Sequence, residues 1–115
     1  MAADRTERRL RDILDAINEI DRMLAGKTWE DFRLDRPLRA AFERFLEILS
    51  EASRHVPPHM KAEFPDIPWR RIADIGNHLR HAYQQVDPEI LWNIHAGEDL
   101  SRLKAAAEHL LRPNR

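Results

Sequence analysis

Between positions 77 and 83 the chain carries Asn77, Arg80, His81 and Tyr83, four side chains whose chemistry suits a phosphodiester. A histidine moves a proton, a guanidinium neutralises negative charge building up on phosphate, and a carboxamide orients either one. Asn77 and His81 are four residues apart, so on a helix they stack on one face. Arg80 adjoins His81, and Tyr83 follows two positions later. Without a metal, such a set points to RNA cleavage in which the ribose 2′-hydroxyl is the internal nucleophile. The same residues would also make a plain solvated face beside a tyrosine at the edge of a core. Spacing alone does not decide between the two.

Other constellations carry less. His55 and His59 are four apart, but Pro57 and Pro58 lie between them and break a shared helix face. His78 and His81 are three apart and about 60° from one another on a helical wheel. No Glu-x-x-His pair of the di-iron bundle type occurs, and the six histidines read as surface or core-edge positions. No metal and no cofactor are expected. Zero cysteine excludes disulfides, thiolate metal sites and cysteine nucleophiles. A G-x-x-x-x-G-K-S/T loop and a G-x-S-x-G elbow are both missing, which leaves nucleotide-triphosphatase and serine-hydrolase readings unsupported. Trp29, Trp69 and Trp92 read as core and dimer anchors rather than base-stacking platforms.

The element that must position the polar set is a helix starting at Pro68 or Trp69 and running to Tyr83 or Gln85. Trp69, Ile72, Gly76, Leu79, Tyr83 and Val86 fall on one side of it. Arg70, Asp74, Asn77, His81 and Gln84 fall on the other, with Arg80 at the border. Gly76 inside a helix costs up to about 1 kcal/mol against alanine. Close approach of another helix backbone would compensate.

The remaining periodicity is also helical. Leu10, Ile13, Leu14, Ile17, Ile20 and Leu24 form one stripe, stopped by Gly26. Thr28 and Asp31 are spaced like a capping box before a short turn. A second long helix begins near Asp35, with Pro37 in its first turn and Leu38, Ala41, Phe42, Phe45, Leu49 and Ala52 facing inward. Pro57-Pro58 ends it, and a one-turn segment, His59 to Phe64, follows. Asp87-Pro88 opens a last helix with Leu91, Ile94, Leu103, Ala107 and Leu110 inside, and Gly97 a point where it bends or breaks. Three glycines and few Val or Thr argue against sheets. The expectation is an all-α single domain over 1–115, an antiparallel up-and-down bundle of four long helices plus short helical turns.

Composition sets the outer bounds. The 115 residues are 43% hydrophobic and 34% charged, enough for one core but too polar for a membrane protein. No apolar run approaches the roughly 20 residues a bilayer helix needs, and no signal-peptide block follows the N-terminus. A cytoplasmic location is expected. The formal net charge of −1 announces no global basic field. All cations except Lys27, Lys61 and Lys104 are arginine, which suits planar recognition of phosphate or carboxylate; a GC-rich coding bias would give the same excess.

Three stretches carry a resemblance. R-L-R-D-I-L-D-A-I at Arg9–Ile17 and R-F-L-E-I-L-S-E-A at Arg44–Ala52 resemble helices of the HepT-like family within the wider HEPN group. The most specific is I-P-W-R-R-I-A-D-I-G-N-H-L-R-H-A-Y-Q-Q-V-D at Ile67–Asp87, with Trp92 following. The resemblance implies a homodimeric all-α bundle. It further implies a metal-independent endoribonuclease toxin, paired with an MntA-like minimal nucleotidyltransferase antitoxin that adds AMP to a tyrosine. The family motif is R-x(4)-H-x-Y near a dimer cleft.

On this sequence His81 matches the motif histidine, Tyr83 the modified tyrosine, and Asn77 the polar residue after the arginine. The arginine position itself is Gly76, and Arg80 is the cation beside His81. His81 is then the general acid/base, Arg80 the transition-state cation, and Asn77 the residue orienting phosphate or His81. A rival reading takes Gly76 as the mark of a non-catalytic helical adaptor that binds the nucleotidyltransferase. A nucleotide-binding accessory subunit has no motif behind it and ranks last.

Overall fold

The computed structural model describes residues 2–81 and 86–113, with side chains from Asp4 onward. Helix α1 (Ala2–Leu24) buries Leu10, Ile13, Ala16, Ile17, Ile20 and Leu24 along one stripe. Gly26, at φ 74, takes the left-handed conformation that stops it. Helix α2 (Trp29–Leu34) opens on a complete capping box. The Thr28 hydroxyl accepts the Asp31 amide at 3.1 Å, and the Asp31 carboxylate accepts the Thr28 amide at 3.0 Å.

Helix α3 (Arg36–Arg54) starts where the Asp35 carboxylate accepts the Leu38 amide at 3.0 Å. Its buried Arg39 donates back to the carbonyls of Phe32, at 3.2 Å, and Arg33, closing the end of α2. The short α4 (Pro58–Lys61) follows the proline pair. Helix α5 (Trp69–Arg80) comes next, then α6 (Pro88–Ala96) and α7 (Asp99–Leu110).

The long helices pack in the order α5, α3, α1, α7, an antiparallel bundle with α1 and α3 as its inner pair. Ile13, Ile17 and Ile20 of α1 meet Phe42, Leu46 and Leu49 of α3, Ile72 of α5 and Leu103 of α7, all essentially inaccessible to water. Each such side chain contributes about 1.5–3 kcal/mol by leaving water. At one end, α2 and α6 close over the bundle through an aromatic cluster. Phe32 sits 5.6 Å from Phe42 and 5.4 Å from Trp92, with Trp29 6.2 Å and His95 5.1 Å from Trp92. Among the described residues no helix is long and apolar enough to cross a membrane.

The last helix breaks at the expected point, where Gly97 is extended (φ −76, ψ −175) and interrupts the ladder between α6 and α7. Other details depart from the sequence expectations. The buried face of α3 is wider than its expected stripe. It also takes in Leu46, Ser50 and Ser53, while Leu38, Ala41 and Phe45 are only half-buried. An inner helix flanked by α1 and α5 must present two faces, and a single stripe describes one. Finally, α5 is described to Arg80 with His81 as its C-cap; the expected run to Tyr83 or Gln85 falls outside the described residues.

Candidate functional site at the end of α5

The third long helix is held by a contact its sequence only hinted at. The Ser50 hydroxyl, fully buried on α3, donates to the Ala73 carbonyl and accepts the Gly76 amide, both at 2.9 Å. The same carbonyl takes a second bond from Arg54 at 3.0 Å. A Cβ at position 76 would stand 2.5 Å from Ser50 Oγ and 2.9 Å from Ser50 Cβ. The close approach expected at Gly76 therefore exists, but a serine side chain makes it rather than a second backbone. Position 76 opens into the seam between α3 and α5, not onto the polar face.

His81 is exposed at the end of that helix. Its Nδ1 lies 2.8 Å from the Asn77 carbonyl, which also accepts the His81 backbone amide at 3.2 Å. A carbonyl oxygen only accepts, so Nδ1 carries the hydrogen and Nε2 of the neutral ring keeps the lone pair. Orientation of the ring thus comes from the Asn77 backbone. The Asn77 carboxamide is exposed and has no hydrogen bond to another described residue.

Arg80 is exposed and forms no ion pair with a described residue. Its guanidinium folds back one turn, with Nη1 3.7 Å from where a Cβ at 76 would stand. It lines a depression of about 290 Å³ with Arg9 and Asp12 of α1 and Arg44, Glu47, Ile48 and Glu51 of α3. His81 is not in that lining. The fold therefore joins Asn77 to His81 and places Arg80 in one lining with Arg9 and Arg44.

Tyr83 lies outside the described residues. Motif spacing does not single out Arg9 or Arg44. The helical repeat Arg5, Arg8, Arg9 on one face of α1 was the signal that could have found the first. Among the described residues no three His, Asp or Glu side chains converge as a metal-binding group.

Comparison with known proteins adds the relatives. Residues 13–110 match the family model described as "Ribonuclease HepT-like". The chain is similar to "Probable ribonuclease HepT" of Thermococcus cleftensis, 40% identical over 101 residues that span 88% of this chain and 91% of that protein. It is also similar to "Putative RNase MJ1380" of Methanocaldococcus jannaschii, 32% identical over 99 residues, 86% of this chain and 90% of the relative. "Putative RNase TTE0752" of Caldanaerobacter subterraneus is 34% identical over 83 residues, 72% of this chain and 74% of the relative. No solved structure gives a significant match.

Proposed function

From a chain that belongs to the HepT-like ribonuclease family, we propose a metal-independent endoribonuclease in which His81 transfers the protons. The observation that carries this is the bond from His81 Nδ1 to the Asn77 carbonyl, which leaves Nε2 as the basic nitrogen of an exposed imidazole. Nε2 takes the proton of a ribose 2′-hydroxyl, and the 2′-oxygen attacks the adjacent phosphorus. The bond to the 5′-oxygen breaks, and that oxygen leaves with a proton from a second imidazolium. The products are a 2′,3′-cyclic phosphate and a free 5′-hydroxyl. The second imidazole is the copy of His81 in the other protomer of a homodimer, so each site has one base and one acid.

Arg80 neutralises the charge on the phosphorane-like transition state. Arg80 adjoins His81, and its exposed guanidinium, which forms no ion pair with a described residue, supports this role. Asn77 offers its exposed carboxamide to a phosphate oxygen. In this reading the protein is the toxin of a two-gene pair. An MntA-like nucleotidyltransferase silences it by AMP transfer, in which the Tyr83 hydroxyl loses its proton, bonds to the α-phosphorus of ATP and pyrophosphate leaves, a role supported by the match of Ile67–Asp87 to the family pattern.

The test is RNA cleavage by the purified dimer and by His81→Ala. Loss of about 10²–10⁴ in rate is expected for removal of a general acid–base group. Equal cleavage by the two proteins rejects His81 as the catalyst. For Tyr83, intact mass is measured after incubation with the adjacent transferase and ATP. AMP-sized increments on wild type and none on Tyr83→Phe are expected, and an unmodified wild type beside an active transferase rejects the switch.

A second reading, a non-catalytic adaptor for the transferase, is favoured by one observation: position 76 has no room for the motif arginine. It predicts tight binding to the transferase and no RNA cleavage by wild type. Restoring arginine at 76 cannot separate the readings, because that side chain would have to displace α3. Wild-type protein separates them: RNA cleavage that falls in Arg80→Ala keeps the nuclease, and transferase binding with no cleavage keeps the adaptor.

A further inference from the structure

We propose that the arginine-lined trough crossing α1 and α3 from Arg80 to Arg5 is the track that holds the phosphate backbone of an RNA strand leading to His81. This rests on the ribonuclease reading above and adds where the substrate lies. The trough consists of two adjoining depressions that share Arg9 and Asp12. The one of about 290 Å³ ends at Arg80, and the other, of about 720 Å³, is walled by Arg5, Arg8 and His55.

Charge pairing decides what such a surface attracts. Of the acids in the trough, Glu47 is occupied by Arg44 at 3.7 Å, and Glu51 by Arg54 at 3.9 Å and His55 at 3.4 Å. Arg5, Arg8, Arg9 and Arg80 form no ion pair with a described residue, against Asp12 as the one acid of the lining without a partner there. Four unspent guanidiniums against one unspent carboxylate make a local positive strip on a chain whose formal net charge is −1. Arg5, Arg8 and Arg9 share one helix face, so their forks can engage consecutive groups along one strand. Asp12, an acceptor only, suits a ribose 2′-hydroxyl better than a phosphate. The strip ends at the residue adjoining His81, which is where a nuclease needs the strand to arrive.

The experiment measures binding of a fluorescein-labelled, 2′-O-methylated single-stranded oligoribonucleotide, which keeps its phosphates and cannot be cleaved by 2′-hydroxyl attack. Wild type is compared with the triple variant Arg5→Gln, Arg8→Gln, Arg9→Gln. The control is Arg22→Gln, Arg33→Gln, Arg102→Gln, which removes equal charge from arginines already paired to Glu19, Glu30 and Glu98. Five of the six positions are exposed and Arg9 is half-buried, and circular dichroism checks that both variants fold.

The trough variant should bind about tenfold or more weaker at roughly 0.1 M salt, and its slope of log K against log salt should flatten by roughly 2, at ~0.7 per phosphate contact. The control should stay within about twofold of wild type with its slope kept. Wild-type affinity in the trough variant, an equal loss in the control, or equal displacement of the RNA by polyglutamate overturns the track. The two proposals fail separately. A wild type that cannot cleave ordinary RNA, beside a trough variant that has lost binding, sinks the nuclease and keeps the track. Cleavage by wild type with unchanged binding and cleavage by the trough variant does the reverse.

Discussion

The hydroxyl of Ser50 accepts the amide of Gly76 at 2.9 Å and stands 2.5 Å from where a side chain at that glycine would begin. The contact joins α3 to the helix carrying Arg80 and His81, and it fixes how far that helix can approach the core. Placing Cβ at 76 pushes on Ser50 Cβ as well as on its hydroxyl, and neither belongs to a flexible tail.

Gly76→Ala should therefore destabilise the protein, although alanine is the better helix former by about 1 kcal/mol. Overpacking costs of about 1–3 kcal/mol outweigh that gain. Urea unfolding should show a lower midpoint with an unchanged slope. Gly76→Arg should melt lower still and cleave RNA no faster than wild type. A stabilised Gly76→Ala protein would show that the seam yields.

Arg80 is exposed and engaged by no described partner, so its removal should leave the melting temperature within a degree or two of wild type. The rate of RNA cleavage should fall by about 10²–10³, the usual loss for one transition-state donor. Arg80→Lys should recover part of it, because charge survives but the planar fork does not. Matching single-turnover rates for Arg80→Ala and wild type would remove Arg80 from the chemistry.

Arg39 is a stability residue rather than a substrate-binding one. It is buried, and its guanidinium holds the terminal carbonyls of α2 at Phe32 and Arg33. Arg39→Met should cost about 1.5–3 kcal/mol, the range for hydrogen bonds to a charged donor, seen as a lower urea midpoint. An unchanged midpoint would mean that α2 needs no such tie.

His95 contributes to the pH dependence of stability. Burial in the cluster with Phe42 and Trp92 lowers its pKa from the ordinary 6.5, a shift the charge of Asp21 partly opposes. With the folded value depressed, the unfolded chain binds the extra proton, so stability rises with pH. The contribution is present above the ordinary value and is lost as pH falls through the folded one. Thermal melts between about pH 7.5 and pH 5 should fall more steeply for wild type than for His95→Phe. Parallel curves would rule out His95 as the source.

Much of this could be read from the chain before any coordinates. Gly26 acts through its own left-handed φ, and Thr28 with Asp31, Asp35 and Asp87 act through side-chain bonds to backbone amides two or three positions away; such local signals survive without tertiary context. Ile13, Ile17 and Ile20 follow from helical period because α1 has one dominant inner stripe. Ser50 was not legible, because a buried serine takes its meaning from the carbonyl and amide of a helix more than twenty residues away. At the candidate site, the stacking of His81 on Asn77 follows from their spacing. That the backbone carbonyl receives the ring, and that Arg80 faces Arg9 and Arg44, depends on side-chain rotation and on which helices flank α5.

The interruption at Gly97 has a consequence for stability. It divides what would have been one rod into two pieces of 9 and 12 residues, lengths at which an isolated helix is marginal in water. Each piece persists only because of what it rests on: α6 on α2 and α3, α7 on α1.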